Sequence, residues 1–126
     1  KTLFPYTTLF RSLNNSLKIS PDEQLGLVKR LYFRQLPFRA SVQDMVKRMM
    51  IQENNTIYQL AYKTGTGKDE KGVNIAWMVG WVEENRHVYP FVLNLGTADD
   101  TADLFAIRLR ILRNSLSELG FFKGKM

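Results

Sequence analysis

The chain has 126 residues, enough for one small domain with a real core. Hydrophobic residues make up 44% and charged residues 24%, ordinary for a soluble globular protein, and no apolar run reaches the length of a membrane span. No cysteine is present, which excludes disulfides and thiolate chemistry, and the formal charge of +6 is scattered rather than massed in the basic tract that marks nucleic-acid binding.

Residues 1–12 read Lys-Thr-Leu-Phe-Pro-Tyr-Thr-Thr-Leu-Phe-Arg-Ser. Pro5, Tyr6, Thr7 and Thr8 interrupt the apolar core of a would-be signal peptide, and no small-residue cleavage site follows. Leu3 to Ser12 instead looks like the translation of a common sequencing adapter. Residues 1–12 are therefore expected to be foreign, with the native domain at 13–126.

Ser20-Pro21-Asp22-Glu23 is a helix start: Ser20 caps, Pro21 takes the first helical position and Glu23 completes a capping box. Leu25, Val28, Leu31 and Tyr32 mark one apolar face, and Leu36-Pro37 requires the helix to have ended. A second helix is expected from Ser41. Its Val42, Met45, Val46, Met49 and Met50 follow helical spacing, and the methionines read as core filling.

Ile57 to Lys63 reads as a strand running into a glycine-bearing turn, and Lys68 to Gly72 as a polar connection. Ile75 to Val82 is apolar at nearly every position, the pattern of a central strand covered on both faces by its neighbours, with Trp77 and Trp81 as buried anchors. Glu84-Asn85-Arg86-His87 makes a hairpin turn, and Val88 to Leu95 returns. Pro90 cannot donate to a ladder, so it points to a bulge or a locally unpaired position. A last helix spans about Thr101 to Leu119, with Gly120 as its stop. The expected fold class is α+β: an antiparallel sheet of three strands flanked by helices.

Lys63-Thr64-Gly65 places a point charge and a hydroxyl donor beside a residue that lets a ligand approach the backbone, a set suited to a carboxylate. Gly65-Thr66-Gly67-Lys68 is not a phosphate loop, because Tyr62 and Asp69 occupy positions that need glycine and serine or threonine. On the last helix Leu104, Phe105, Ile111, Leu112, Leu116 and Leu119 share one arc, and Arg108 falls inside it. An arginine on a buried face needs an anion; an internal carboxylate or an outward-reaching side chain answers as well as a ligand. His87 is the one histidine and reads as a solvated turn residue, so a zinc site is not expected.

Lys63-Thr64-Gly65 at a strand end, followed by Trp77-Met78-Val79-Gly80-Trp81-Val82-Glu83, resembles the third active-site motif and following strand of class D β-lactamases. The resemblance runs from about Leu13 to Met126 and implies a three-layer α-β-α domain of which this chain is the C-terminal part. It implies hydrolysis of the β-lactam amide through an acyl-serine. Lys63 and Thr64 then hold the ligand carboxylate beside Gly65, the Thr66 backbone N–H serves the oxyanion hole, and Arg108 clamps the carboxylate.

The departures are as informative. No Ser-x-x-Lys, Ser-x-Val or Tyr-Gly-Asn occurs, so the nucleophile and the lysine that the family carbamylates as its base are absent from this sequence. Ser12-Leu13-Asn14 mimics a related motif, but Ser12 belongs to the suspected adapter. The chain alone is expected to be inactive and to need no cofactor. By resemblance its partners are β-lactams, without nucleic acid or membrane span, and its compartment is the periplasm or the exterior. Two alternatives stay open: part of a penicillin-binding sensor or transpeptidase, and a small basic binding module.

Overall fold

The computed structural model describes residues 20–68, 71–99 and 103–124. The expected foreign head, Asp69-Glu70 of the polar connection and the Thr101 start of the last helix lie outside the described residues.

Helix α1 (Pro21–Tyr32) opens as its sequence dictates. Ser20 Oγ accepts from the Glu23 N–H at 3.1 Å, and Glu23 Oε1 accepts from the Ser20 N–H at 2.8 Å. These reciprocal bonds satisfy donors that no helical turn precedes. Helix α2 (Ala40–Met50) starts at Ala40, one residue before the expected Ser41, with Arg39 at its cap position and no side-chain cap.

Of the apolar stripe expected on α2, only Met50 is buried, as core filling. Gln43 and Met50 point inward. Gln43 donates to the carbonyls of Leu36 (3.1 Å) and Phe38 (2.6 Å) and accepts from the Leu36 N–H at 3.1 Å. The bend between the helices leaves backbone groups that must be paired, and the glutamine does so. Its rotation inward turns Met45 and Met49 out, 54% and 75% exposed, so their expected role as core filling is corrected.

Among the described residues the sheet has four strands in chain order, all antiparallel: β1 (Ile51–Asn54), β2 (Tyr58–Lys68), β3 (Asn74–Glu84) and β4 (His87–Thr97). The expected three-stranded sheet lacked β1, a short strand that follows α2 with no intervening turn. The expected turn after Lys63 is also corrected. Thr64 to Lys68 continue the strand, paired with Met78 to Asn74, because a partner strand fixes a glycine–threonine run that has little preference of its own. Pro90 sits opposite Trp81 in an unbroken register, not at a bulge; among the described residues β4 pairs with β3 alone, and an open edge tolerates a residue without an N–H. Asn85 and Arg86 form the β3–β4 turn with φ of 55° and 66°, the left-handed pair that a two-residue hairpin needs.

β3 is central, as its apolar run requires. On one face Ala61 and Trp81 pack with Val28, Leu31 and Met50 of the first two helices. On the other, Leu60, Met78 and Val82 pack with Leu112 and Leu116 of α3 (Leu104–Glu118). Gly80 allows β2 and β3 to approach: a Cβ there would lie 1.9 Å from the Ala61 carbonyl oxygen.

Asp103 caps α3 through the Ala106 N–H at 3.2 Å, and the helix buries Arg108, Leu112 and Leu116. Phe105 and Leu119, expected on the buried arc, are exposed at its two margins. The helix ends in a Schellman motif. Gly120 at φ 99° donates to Ser117, and Phe121 donates to Leu116.

Candidate functional site

The site is an edge of β2. β1 pairs with β2 only from Gln59 to Ala61. Beyond that, Lys63 to Lys68 have β3 on one side and no strand on the other among the described residues. A strand with one neighbour turns alternate N–H and C=O groups outward, where a ligand can meet them.

Side chains leave this edge on both faces. Lys63 and Gly65 lie on the α1–α2 face, opposite Val79 and Trp77, while Thr64 lies opposite Met78 on the α3 face. Lys63 is exposed, and its Nζ donates to the Thr64 carbonyl at 2.7 Å. It also borders a cavity of about 350 Å³ lined by Leu27, Val28, Val46 and Trp77. Gly65 is fixed by packing: a Cβ there would come within 2.1 Å of the Trp77 ring. Thr66 is exposed, opposite Ala76.

Arg108 reaches the same edge from the α3 side. It is 3% exposed, and its Nη1 donates to the Gly65 carbonyl at 3.0 Å. Its Nε is buried without a hydrogen-bond partner among the described residues. Phe105 lies beneath the guanidinium, 5.6 Å from ring centroid to Cζ. Burial pushes the Arg108 pKa down, partly opposed by Tyr62, and burial likewise pushes the Tyr62 phenol up, helped by Glu53 and opposed by Arg113 and Arg108. Neither Lys63 nor Arg108 pairs with a carboxylate among the described residues; both lean on backbone carbonyls of the strand. Two cations thus stand at one strand edge without a carboxylate partner among the described residues, and one of them keeps a buried donor without a partner.

The structure thus brings Lys63, Thr64, Gly65, Thr66 and Arg108 to one strand edge, with the lysine and the arginine arriving from opposite faces. His87 is exposed in its turn, with Nδ1 2.9 Å from the Asn85 carbonyl oxygen. No cluster of metal-ligating side chains exists among the described residues, and no described helix is long and apolar enough to cross a membrane.

A polar cluster beneath the site was missed by sequence reasoning. Tyr58 donates to Glu53 Oε1 at 2.6 Å, Arg113 pairs with the other Glu53 oxygen, and its Cζ sits 5.0 Å from the Phe122 ring centroid. The hydrogen bond to Tyr58 is the first cause that raises the Arg113 pKa, ahead of an opposing desolvation. Its members are far apart in sequence, so no local pattern announces it.

Known proteins give this edge a context. "Probable beta-lactamase YbxI" of Bacillus subtilis is 42% identical over 83 residues, 66% of this chain and 30% of its own length. "Beta-lactamase OXA-2" of Salmonella typhimurium is 39% identical over 106 residues, 81% of this chain and 36% of its own. The crystal structure of FUS-1 (OXA-85), a class D β-lactamase from Fusobacterium nucleatum subsp. polymorphum, superimposes with a TM-score of 0.75 at 34% identity, covering 85% of this chain and 43% of that one. The chain therefore spans about a third of the curated relatives it matches. The family model for the penicillin-binding protein transpeptidase domain matches residues 6–117. With most of its length under that model, and class D β-lactamases among its relatives in sequence and in fold, the chain belongs to the penicillin-binding transpeptidase family as a partial region of its class D branch.

Proposed function

We propose that this chain is the carboxylate-binding part of a class D serine β-lactamase, and that it does not turn over substrate by itself. The observation that carries the reading is Arg108, buried, bonded through Nη1 to the Gly65 carbonyl at the edge of Lys63 to Lys68, and with its Nε unpaired among the described residues. A β-lactam presents a carboxylate next to its scissile amide. Lys63 supplies a point charge to it, Thr64 a hydroxyl and Arg108 a fork of donors. The Thr66 N–H serves the oxyanion that forms when a serine attacks the amide carbonyl, a contribution worth about 3 kcal/mol where such donors have been removed. Serine and base belong to Ser-x-x-Lys, which this sequence does not contain, so the chain binds and orients without forming the acyl bond. The base in that motif is a carbamylated lysine, so no resident cofactor is assigned to this chain. A periplasmic or secreted setting and a role in antibiotic resistance belong to the same proposal.

The test has two arms. Purified chain is incubated with a chromogenic cephalosporin; no turnover is expected, and turnover at rates typical of an enzyme overturns the reading of an incomplete site. Acetate, the simplest carboxylate, is titrated against the chain and its Arg108→Ala variant. Saturable binding that the variant loses supports the assignment, and equal behaviour of the two overturns it. In a complete class D enzyme carrying these residues, loss of a charge-assisted bond of about 1.5–3 kcal/mol raises KM about 10- to 100-fold and lowers kcat less, because the carboxylate is held in ground and transition states alike.

A further inference from the structure

Glu84 lies at the last position of β3 and is 4% exposed, yet no cation pairs with it among the described residues. Its partners are backbone groups. The Phe122 N–H donates to Oε1 at 2.7 Å, and the N–H groups of Lys123 and Gly124 donate to Oε2 at 3.1 and 2.8 Å. These three donors lie just beyond the Schellman end of α3, where Gly120, Phe122 and Gly124 all take positive φ. Successive N–H groups in such a turn form a nest for an anion, and here a side chain of the sheet fills it.

The nest is tied back to the strands through Phe122. Its ring lies 4.6 Å from that of Tyr58 on β2 and 5.0 Å from Arg113 Cζ on α3. Arg113 in turn pairs with Glu53 on β1. The C-terminal half of α3 is thereby fastened to β1, β2 and β3. Arg108 lies on the same helix, five residues before Arg113.

We infer that Glu84 is a positioning residue for the anion-binding edge: by clamping the turn that follows α3, it sets how far along β2 the helix sits, and so whether Arg108 meets the Gly65 carbonyl. An α-helix transmits axial displacement with little loss, and one residue of slip moves every position by about 1.5 Å. A shift of that size breaks a 3.0 Å hydrogen bond. The carboxylate therefore acts on a guanidinium it never touches. This inference rests on the reading of Arg108 as the carboxylate seat, but it predicts a change in the free chain that does not depend on any ligand.

The experiment uses the full chain with 15N-labelled arginine. The Arg108 Nε–H resonance and its exchange rate are followed in Glu84→Gln, which keeps shape and loses charge, and in Glu84→Asp, which keeps charge on a shorter stem. Lys123→Pro, which deletes one nest donor and leaves Glu84 intact, supplies the same readout should Glu84→Gln fail to fold. Glu84→Gln and Lys123→Pro are expected to shift the resonance and speed exchange about 2- to 30-fold, the span seen for residues that act through packed neighbours, with Glu84→Asp nearer the parent. The backbone amides of β2 and β3 that pair from Leu60 to Tyr62 and from Gly80 to Val82 stay protected throughout. An unchanged Arg108 resonance and exchange rate in a folded Glu84→Gln or Lys123→Pro chain overturns the inference. Acetate titration of the same samples separates the two claims. A parent chain that ignores acetate removes the carboxylate seat, while the ligand-free exchange rates still judge Glu84.

Discussion

The two faces of the sheet are finished differently. Toward α3, Leu60, Met78 and Val82 are fully buried beneath Leu112 and Leu116, and the polar groups at the Glu84 end are paired through Glu53, Arg113 and Glu84, with the Arg108 Nε at the other end buried without a partner among the described residues. Toward α1 and α2, Ala61 and Trp81 are equally dry, but beside them lies the cavity of about 350 Å³, with the Gln24 Oε1 buried without a partner among the described residues and Met45 and Met49 turned outward. One face is filled by apolar side chains and leaves only Arg108 incompletely paired. The other closes at one end and leaves apolar surface at the end where Lys63 sits. The lesson is that burial of a strand on both faces does not require both faces to be complete.

The sharpest way to break this comparison is at the seam both faces share. Gly80→Val forces atoms into the Ala61 carbonyl and is expected to cost at least about 3 kcal/mol, the upper end for overpacked sites. Urea unfolding measures it, and a loss below about 1 kcal/mol would mean the strands part without strain. Next comes a contrast between the faces. Leu116→Ala should cost about 2.5 kcal/mol through its lost contacts and the space left behind, whereas Met49→Ser should stay within about 0.5 kcal/mol. Equal costs would show that α2 is packed in solution by something these contacts do not include.

A third test asks what the unfinished face does to the chain as a whole. An exposed stripe of Val42, Met45, Val46 and Met49, together with an edge of β4 that has no partner strand among the described residues, favours association. Sedimentation should show concentration-dependent oligomers, reduced severalfold by the pair Met45→Glu and Met49→Glu. A monodisperse monomer at all concentrations would contradict it. The smallest effect is at Tyr32, whose phenol donates to Glu83 at 2.8 Å and, mainly through burial, has its pKa pushed from 10 to about 12. The folded phenol keeps its proton where the unfolded one has lost it, so stability present below pH 10 falls as pH rises toward about 12. Tyr32→Phe should flatten that slope.

Much of this was legible in local pattern. The capping box at Ser20 and Glu23, the dry run of β3 and the Asn85-Arg86 turn depend on residues a few positions apart, and each formed where the sequence placed it. Arg108 was legible too, because helical angle alone put it among leucines, although its observed partner is a carbonyl and not a carboxylate. The misreadings have one cause. Whether Thr64 to Lys68 turn or run straight is decided by β3, and whether Met49 or Gln43 faces inward is decided by the backbone of Leu36 and Phe38. Such outcomes are set by partners that no short window contains.

The order of the sheet carries a kinetic consequence. Each strand pairs with its neighbour in the chain, and the links between paired strands are short. Closing such loops sacrifices little chain entropy, and a meander of this kind keeps contact order low for a β-rich protein. The left-handed pair at Asn85 and Arg86 starts the β3–β4 hairpin from its tip, and β2 can join from the other side without threading past anything. On this topology the strand that carries Lys63, Thr64 and Gly65 is expected to pair with β3 before α3 docks Arg108 against it.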